Sequence, residues 1–296
     1  MRFGVLAVCA VLAASGALAA DLRAVDAAYA RRGDGSTGER ASLGAARAAV
    51  RAAETAARVA PDDIALRWRE VRALHYLGEF ATQGDRAQRE VFSRAMSRGE
   101  DALARLAARL GDVRIDELAP AERRERLARE RIEVEDVGEL YFWNAVAVGA
   151  WSQKTGLLDA VRSGVTGRLD RYTRSAIDLA PRAYDGGPYR LWARMHAILP
   201  RVPLLTGWVD RELALPAAER ALAIAPEHPG NQVLLAMTLL DLNAGRERDA
   251  VAILERVAAL QPRPSFVVED EAVKRLAQLR LAERASAATG APQSSR

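Results

Sequence analysis

Ala176-Ile177-Asp178-Leu179-Ala180-Pro181 is one of four versions of a phrase that recurs along this chain. The others are Ala56-Ala57-Arg58-Val59-Ala60-Pro61, Ala221-Leu222-Ala223-Ile224-Ala225-Pro226 and Val257-Ala258-Ala259-Leu260-Gln261-Pro262. In each, a small or branched apolar residue stands five positions before the proline, and an aliphatic residue two before it. Residues three apart share one face of a helix. Proline lacks an N–H and clashes with the preceding turn, so the helix stops there and the chain reverses. Pro181, Pro226 and Pro262 are spaced by 45 and 36 residues, which fits one helix pair per repeat. The 120 residues from Pro61 to Pro181 leave room for about three further units.

The rest of the chain agrees with that reading. Alanine, leucine, arginine and glutamate dominate, while β-branched runs and hairpin turn pairs are scarce, so the composition favours helix. The expected fold is all-α: tetratricopeptide-like helix hairpins stacked as an α-solenoid. The clearest unit has one helix over Asn231–Asn243, a turn at Ala244-Gly245-Arg246 and a second helix over Glu247–Leu260. Asp62–Phe80 with Asp85–Leu110 makes another hairpin, and Glu139–Ser152 with Asp159–Ala180 a central one. Ser42–Ala60 is the second helix of a first hairpin whose partner lies near Arg23–Arg32, with a flexible turn over Gly33–Gly38. Tyr189–Ile198 opens the next pair. In the charged segment Ile115–Glu135, Pro120 opens a polar helix over Ala121–Arg131 inserted between repeats, with a linker between two repeat blocks as the competing reading. Ser265–Ala285 is a capping helix, covering the apolar face that a terminal repeat cannot bury alone. The repeat domain spans residues 20–285, and residues 286–296, small and polar, form a disordered tail.

The N-terminus reads as an export signal. Met1-Arg2 is positive, Phe3–Ala14 is an unbroken apolar stretch, and Ser15-Gly16-Ala17-Leu18-Ala19 supplies small residues for cleavage after Ala19. A signal peptide over residues 1–19 implies a periplasmic mature protein. Cys9 lies inside the apolar run behind bulky Val8, which argues against a lipid anchor; if it leaves with the signal, no thiol remains. Net charge is +4, falling to +3 with Arg2, and the arginines alternate with acidic residues along helix faces, so nucleic acid is not an expected partner.

Catalytic signatures are missing. His75, His196 and His228 have no metal-ligand spacing, and there is no GxSxG, phosphate-binding glycine loop or paired-cysteine motif. The expectation is a non-enzymatic protein with no cofactor, metal or catalytic residues. Two segments stand out as a ligand or partner groove. Leu140-Tyr141-Phe142-Trp143-Asn144 with Trp151 concentrates aromatics in a chain with 5% aromatic residues; Tyr141, Trp143, Asn144 and Trp151 are its candidates, with packing between repeats as the plainer reading. Tyr184-Asp185-Gly186-Gly187-Pro188-Tyr189-Arg190-Leu191-Trp192 supplies Tyr184, Gly186, Gly187, Tyr189, Arg190 and Trp192. Paired glycines allow a backbone excursion with positive φ, and Pro188 suits the first turn of the following helix.

These last residues carry a family resemblance. Ala176–Pro181, the Tyr184–Arg190 segment, Leu199-Pro200, Ala221–Pro226 and Asn144–Trp151 together resemble the T component of tripartite ATP-independent periplasmic (TRAP) transporters, over roughly Ala41–Pro262. The resemblance implies a periplasmic protein that forms a ring-shaped homotrimer with a central pore. It implies association with the transporter's periplasmic substrate-binding protein, and a groove for a small hydrophobic ligand. Several members are lipoproteins, and this sequence departs there; its Pro203–Asp210 turn is also longer than the family's. The alternative is a general periplasmic tetratricopeptide scaffold for protein–protein interaction in the cell envelope.

Overall fold

The computed structural model describes residues 21–155, 164–203 and 205–289. The expected signal peptide with Cys9, the first residues of the helix expected from Asp159, Leu204, and residues 290–296 of the expected tail lie outside the described residues. Among those described, the fold is an all-α helical repeat without strands. Its twelve helices are α1 (residues 21–30), α2 (Leu43–Val59), α3 (Ile64–Tyr76), α4 (Asp85–Arg109), α5 (Pro120–Arg129), α6 (Val134–Gln153), α7 (Val165–Leu179), α8 (Gly187–Ile198), α9 (Ala214–Ile224), α10 (Pro229–Asp241), α11 (Glu247–Ala258) and α12 (Val267–Thr289). A π-helical turn, Leu77–Ala81, extends α3.

Three of the four proline phrases end their helices in one way. Ala60, Ala180 and Ala225 each leave the helical region (φ −125°, −139° and −145°) while their N–H still bonds to the carbonyl four residues back. That is the conformation a following proline imposes on its predecessor. The fourth phrase differs: α11 stops at Ala258, and Ala259 caps it three residues before Pro262. The small residue of each phrase is buried, because it lies where two helices cross. In α2 the whole crossing stripe is alanine and valine: Ala46, Ala49, Val50, Ala53, Ala56 and Ala57.

The hairpins stack in two layers. Helices α3, α6, α8, α10 and α12 pack in succession on the inner side, and α2, α4, α7, α9 and α11 back them on the outer side. α1 joins the inner layer through Asp26, which accepts hydrogen bonds from Arg69 and Arg72 of α3, and through the edge contact of Tyr29 with Tyr76. α5 is an insertion packed on α6, anchored by Arg123 donating to the carbonyls of Asp116 and Leu118. Some expected boundaries shift. α6 begins at Val134, five residues before Glu139, and α12 runs to Thr289, into the stretch read as tail. The Gly33–Gly38 turn is followed by a backbone pair between Thr37 and Arg40.

The first and last inner helices meet. Arg32, just past α1, is 3% exposed and donates through Nε to Oε1 of Glu269 on α12 at 2.8 Å. It also donates to the carbonyls of Tyr29 and Ser265, and its guanidinium lies over the rings of Tyr29, Tyr76 and Phe266. The inner layer therefore closes on itself: α1, α3, α6, α8, α10, α12 and back to α1. A buried arginine that loses its carboxylate is a lone charge out of water. Glu269→Ala should cost about 3–5 kcal/mol in chemical denaturation. Glu247→Ala, which removes the exposed pair with Arg284, should cost no more than about 1 kcal/mol.

Glycine sets how closely α6 approaches its neighbours. A Cβ on Gly138 would stand 2.4 Å from the Cβ of Ala180 and 2.6 Å from its backbone nitrogen, so backbone must move to admit it. A Cβ on Gly149 would meet only Leu169 Cδ1, at an ordinary 3.9 Å. The same substitution should thus have opposite signs. Gly138→Ala is expected to destabilise by about 1–3 kcal/mol through overpacking. Gly149→Ala should stabilise by up to about 1 kcal/mol through helix propensity. Thermal unfolding of the two variants checks both.

Candidate functional site

The inner layer lines a pocket of about 520 Å³ that opens to solvent on one side. Every inner helix contributes to its wall: Tyr29 of α1, His75 and Tyr76 of α3, Phe142, Trp143 and Val146 of α6, Leu191 of α8, Val233, Leu234 and Met237 of α10, and Val273 and Leu276 of α12. The volume lies in the range that holds small organic molecules, and a mostly apolar wall with a few polar groups is the usual composition of such sites.

The aromatic side of the wall is one contiguous cluster. Trp143 packs edge-on against Phe142 (5.0 Å between ring centres) and Tyr184 (5.2 Å), and lies 5.8 Å from His75. Tyr184 in turn meets His228 at 6.1 Å. Gly187 is what lets α8 reach this cluster, since a Cβ there would stand 2.4 Å from Phe142 Cζ. The π-helical turn brings Glu79 and Phe80 to the rim, and Gly78 within it is pressed against Phe92.

The Tyr184–Arg190 segment explains itself at this level. Tyr184, Asp185 and Gly186 are three consecutive residues with positive φ (44°, 56° and 84°). Tyrosine and aspartate pay for that conformation in strain, which surrounding contacts must offset. Two contacts do so. Arg190 donates to the carbonyls of Tyr184 (2.7 Å) and Asp185 (3.0 Å). Asn231 of α10 donates to Asp185, Ala221 and Ala225, all within 3.0 Å, and accepts from Arg190 at 2.6 Å. The strained turn is stapled to the end of α9 and the start of α10, with Arg190 fixed against the cavity.

Burial shifts the titratable groups. It pulls the Arg190 guanidinium down to about 10, still protonated at neutral pH. It pushes His228 down to about 3, helped by the charges of Arg190 and Arg263, so this imidazole is neutral, and its Nδ1 has no hydrogen-bond partner among the described residues. The Tyr76 hydroxyl is likewise buried without a partner. Glu269 and Asp270 are occupied by Arg32 and Arg263.

Of the residues singled out from sequence, Trp143, Tyr184, Gly187 and Arg190 come together at the cavity. Gly186 supplies the turn beneath them. The others lie elsewhere. Tyr141 points its hydroxyl to Asp116. Asn144 is fully buried against Gly99, between α4 and α6, with both amide atoms unpartnered. Trp151 packs at the margin of the core, and Trp192 stacks on Trp208, with His196 edge-on to both, in a separate cluster. Tyr189 is half-buried. Trp143 and Trp151, eight residues apart, do not share the cavity. Tyr29, His75, Tyr76, His228 and Arg263 were not singled out, although the isolated Gly78 inside a helical stretch is a signal for the distortion near His75 and Tyr76.

No group of three His, Cys, Asp or Glu among the described residues is placed to hold a metal ion, and no described helix is long and apolar enough to cross a membrane. Compared with family models and with curated proteins, the chain matches none.

Behind Trp143, Glu139 accepts the indole N–H at 3.1 Å. Burial raises its carboxyl to about 7, against the pull of Arg72. The folded protein then keeps a proton that the unfolded chain releases above about 4.5, so this group's contribution to stability falls as pH rises toward 7. Glu139→Gln should flatten the pH dependence of unfolding in that window. It should also abolish a Trp143 fluorescence titration with a midpoint near 7. An unchanged titration would show that another group is responsible.

Proposed function

We propose that this chain is a non-enzymatic periplasmic binding protein, an accessory of TRAP-type solute uptake, exported by a cleaved signal peptide. Its cavity holds a small hydrophobic ligand, and its partner is the transporter's substrate-binding protein. The observation that carries the ligand role is the aromatic and aliphatic wall assembled from all six inner helices. Of the carboxylates there, Glu269 and Asp270 are neutralised by arginines, and Glu79 is exposed at the rim. The transporter partner and the homotrimer rest on the sequence resemblance alone.

Two measurements test this reading. Light scattering with chromatography of the mature chain should give a trimer that co-elutes with a TRAP substrate-binding protein; a monomer that never does so sinks the transport assignment. For the cavity, the neutral probe N-phenyl-1-naphthylamine should gain fluorescence on binding. Trp143→Ala should weaken its affinity about tenfold, on the order of 1.4 kcal/mol, without loss of helical circular dichroism. Equal binding by the variant would place the ligand elsewhere.

A further inference from the structure

Four arginines reach the cavity or its closing pair, and three have a carboxylate. Arg32 pairs with Glu269, Arg263 with Asp270 and Arg194 with Asp241. Arg190 has none within ion-pair distance among the described residues; its three hydrogen bonds go to two carbonyls and an amide oxygen, all neutral. A guanidinium has five N–H donors, so Nε–H and one Nη2–H remain without an acceptor among the described residues. The Asp185 side chain, the nearest acid in sequence, is exposed and acts on Arg190 as a nearby charge without an ion-pair contact among the described residues. Arg190 is half-buried, and a cation partly drawn out of water costs free energy unless an anion accompanies it. Here the strained turn and Asn231 hold that cation in place instead of letting it swing to solvent.

The surroundings of Arg190 are arranged by polarity along the cavity. α8, α10 and α12 are separated by one returning helix each, so they run parallel, and Arg190, His228 and Arg263 stand at their starting ends. The N-terminal ends of helices favour negative charge. Toward the other ends, the facing residues are mostly apolar, Leu191, Val233, Leu234, Met237, Val273 and Leu276, with Arg194 as the exception, its charge taken up by Asp241. His228, neutral and with Nδ1 unpartnered, faces the same polar end. Glu79, an exposed carboxylate, sits at the rim beside the π-helical turn of α3, where it disfavours an anion on that side.

We infer that the cavity takes a single-chain amphiphile ending in one carboxylate, its head paired with Arg190 and its chain lying against α10 and α12. Bidentate pairing with a planar carboxylate is the geometry that arginine serves best. This rests on the cavity being the ligand site, and it specifies the ligand's charge, which the hydrophobic reading leaves open.

The test is titration calorimetry at pH 7.5 with three probes of equal chain length: dodecanoate, 1-dodecanol and dodecylammonium. For the wild-type chain, dodecanoate should bind at least about tenfold more tightly than dodecanol, with dodecylammonium weakest. In Arg190→Gln the carboxylate should lose that advantage, read as the ratio of dodecanoate to dodecanol affinity within the variant, so that any change in the apolar wall cancels. Arg190→Lys, keeping charge without the fork, should fall between. If Arg190→Gln does not fold, the wild-type series alone decides. Equal affinity for dodecanoate and dodecanol in the wild type overturns the anionic head group and leaves the cavity assignment standing. Failure of all three probes to bind overturns both.

Discussion

Arg32 and Glu269 are 237 residues apart in sequence and meet largely buried from solvent. A stack of helix hairpins has two ends, each with an apolar face that no further repeat covers. Here each end answers the other, through α1 on one side and α12 on the other. The arginine is fully committed: one carboxylate, two backbone carbonyls and three aromatic rings surround it. Buried ion pairs add little net stability against a hydrophobic alternative, but they penalise every arrangement in which one partner is left alone. The pair therefore selects closure more than it strengthens the fold. The cavity is a consequence of that closure, since its wall draws on α1 and α12 as well as on the helices between them.

Within the closed layer, small residues decide distances and strained ones decide direction. Gly138 and Gly187 bring α6 within reach of α7 and α8, closer than any side chain allows. Three left-handed residues in a row, two of them not glycine, aim backbone carbonyls at Arg190, and Asn231 holds the turn against the end of α9. Local conformational cost is thus exchanged for a fixed cation beside an apolar chamber, a pattern expected where structure serves binding.

The proline phrases made the hairpin repeat readable before any coordinates, because proline's effect on its predecessor is local and does not depend on tertiary context. The Gly186-Gly187 turn was readable for the same reason: two glycines before a proline need a backbone explanation. The aromatic stretch of α6 was not resolved in this way. Val137, Gly138, Leu140, Tyr141, Phe142, Trp143, Asn144 and Ala145 are all buried, so the helix is enclosed on every side and periodicity cannot say which face meets the cavity. Trp143 turns inward, while Asn144, its neighbour, fills the space left by Gly99 on α4. Tyr29, His228 and Arg263 could not be assigned from sequence at all, since their role follows from the closure of the ring, a contact between opposite ends of the chain.

Native mass spectrometry of the protein, recovered intact from an exporting cell, addresses the central claim most directly. If the closed inner layer is a ligand chamber, each subunit should carry a small non-covalent mass that is released on denaturation and is absent from Trp143→Ala. A bare polypeptide mass for the folded wild type that stays bare when apolar ligands are supplied in excess would contradict the account.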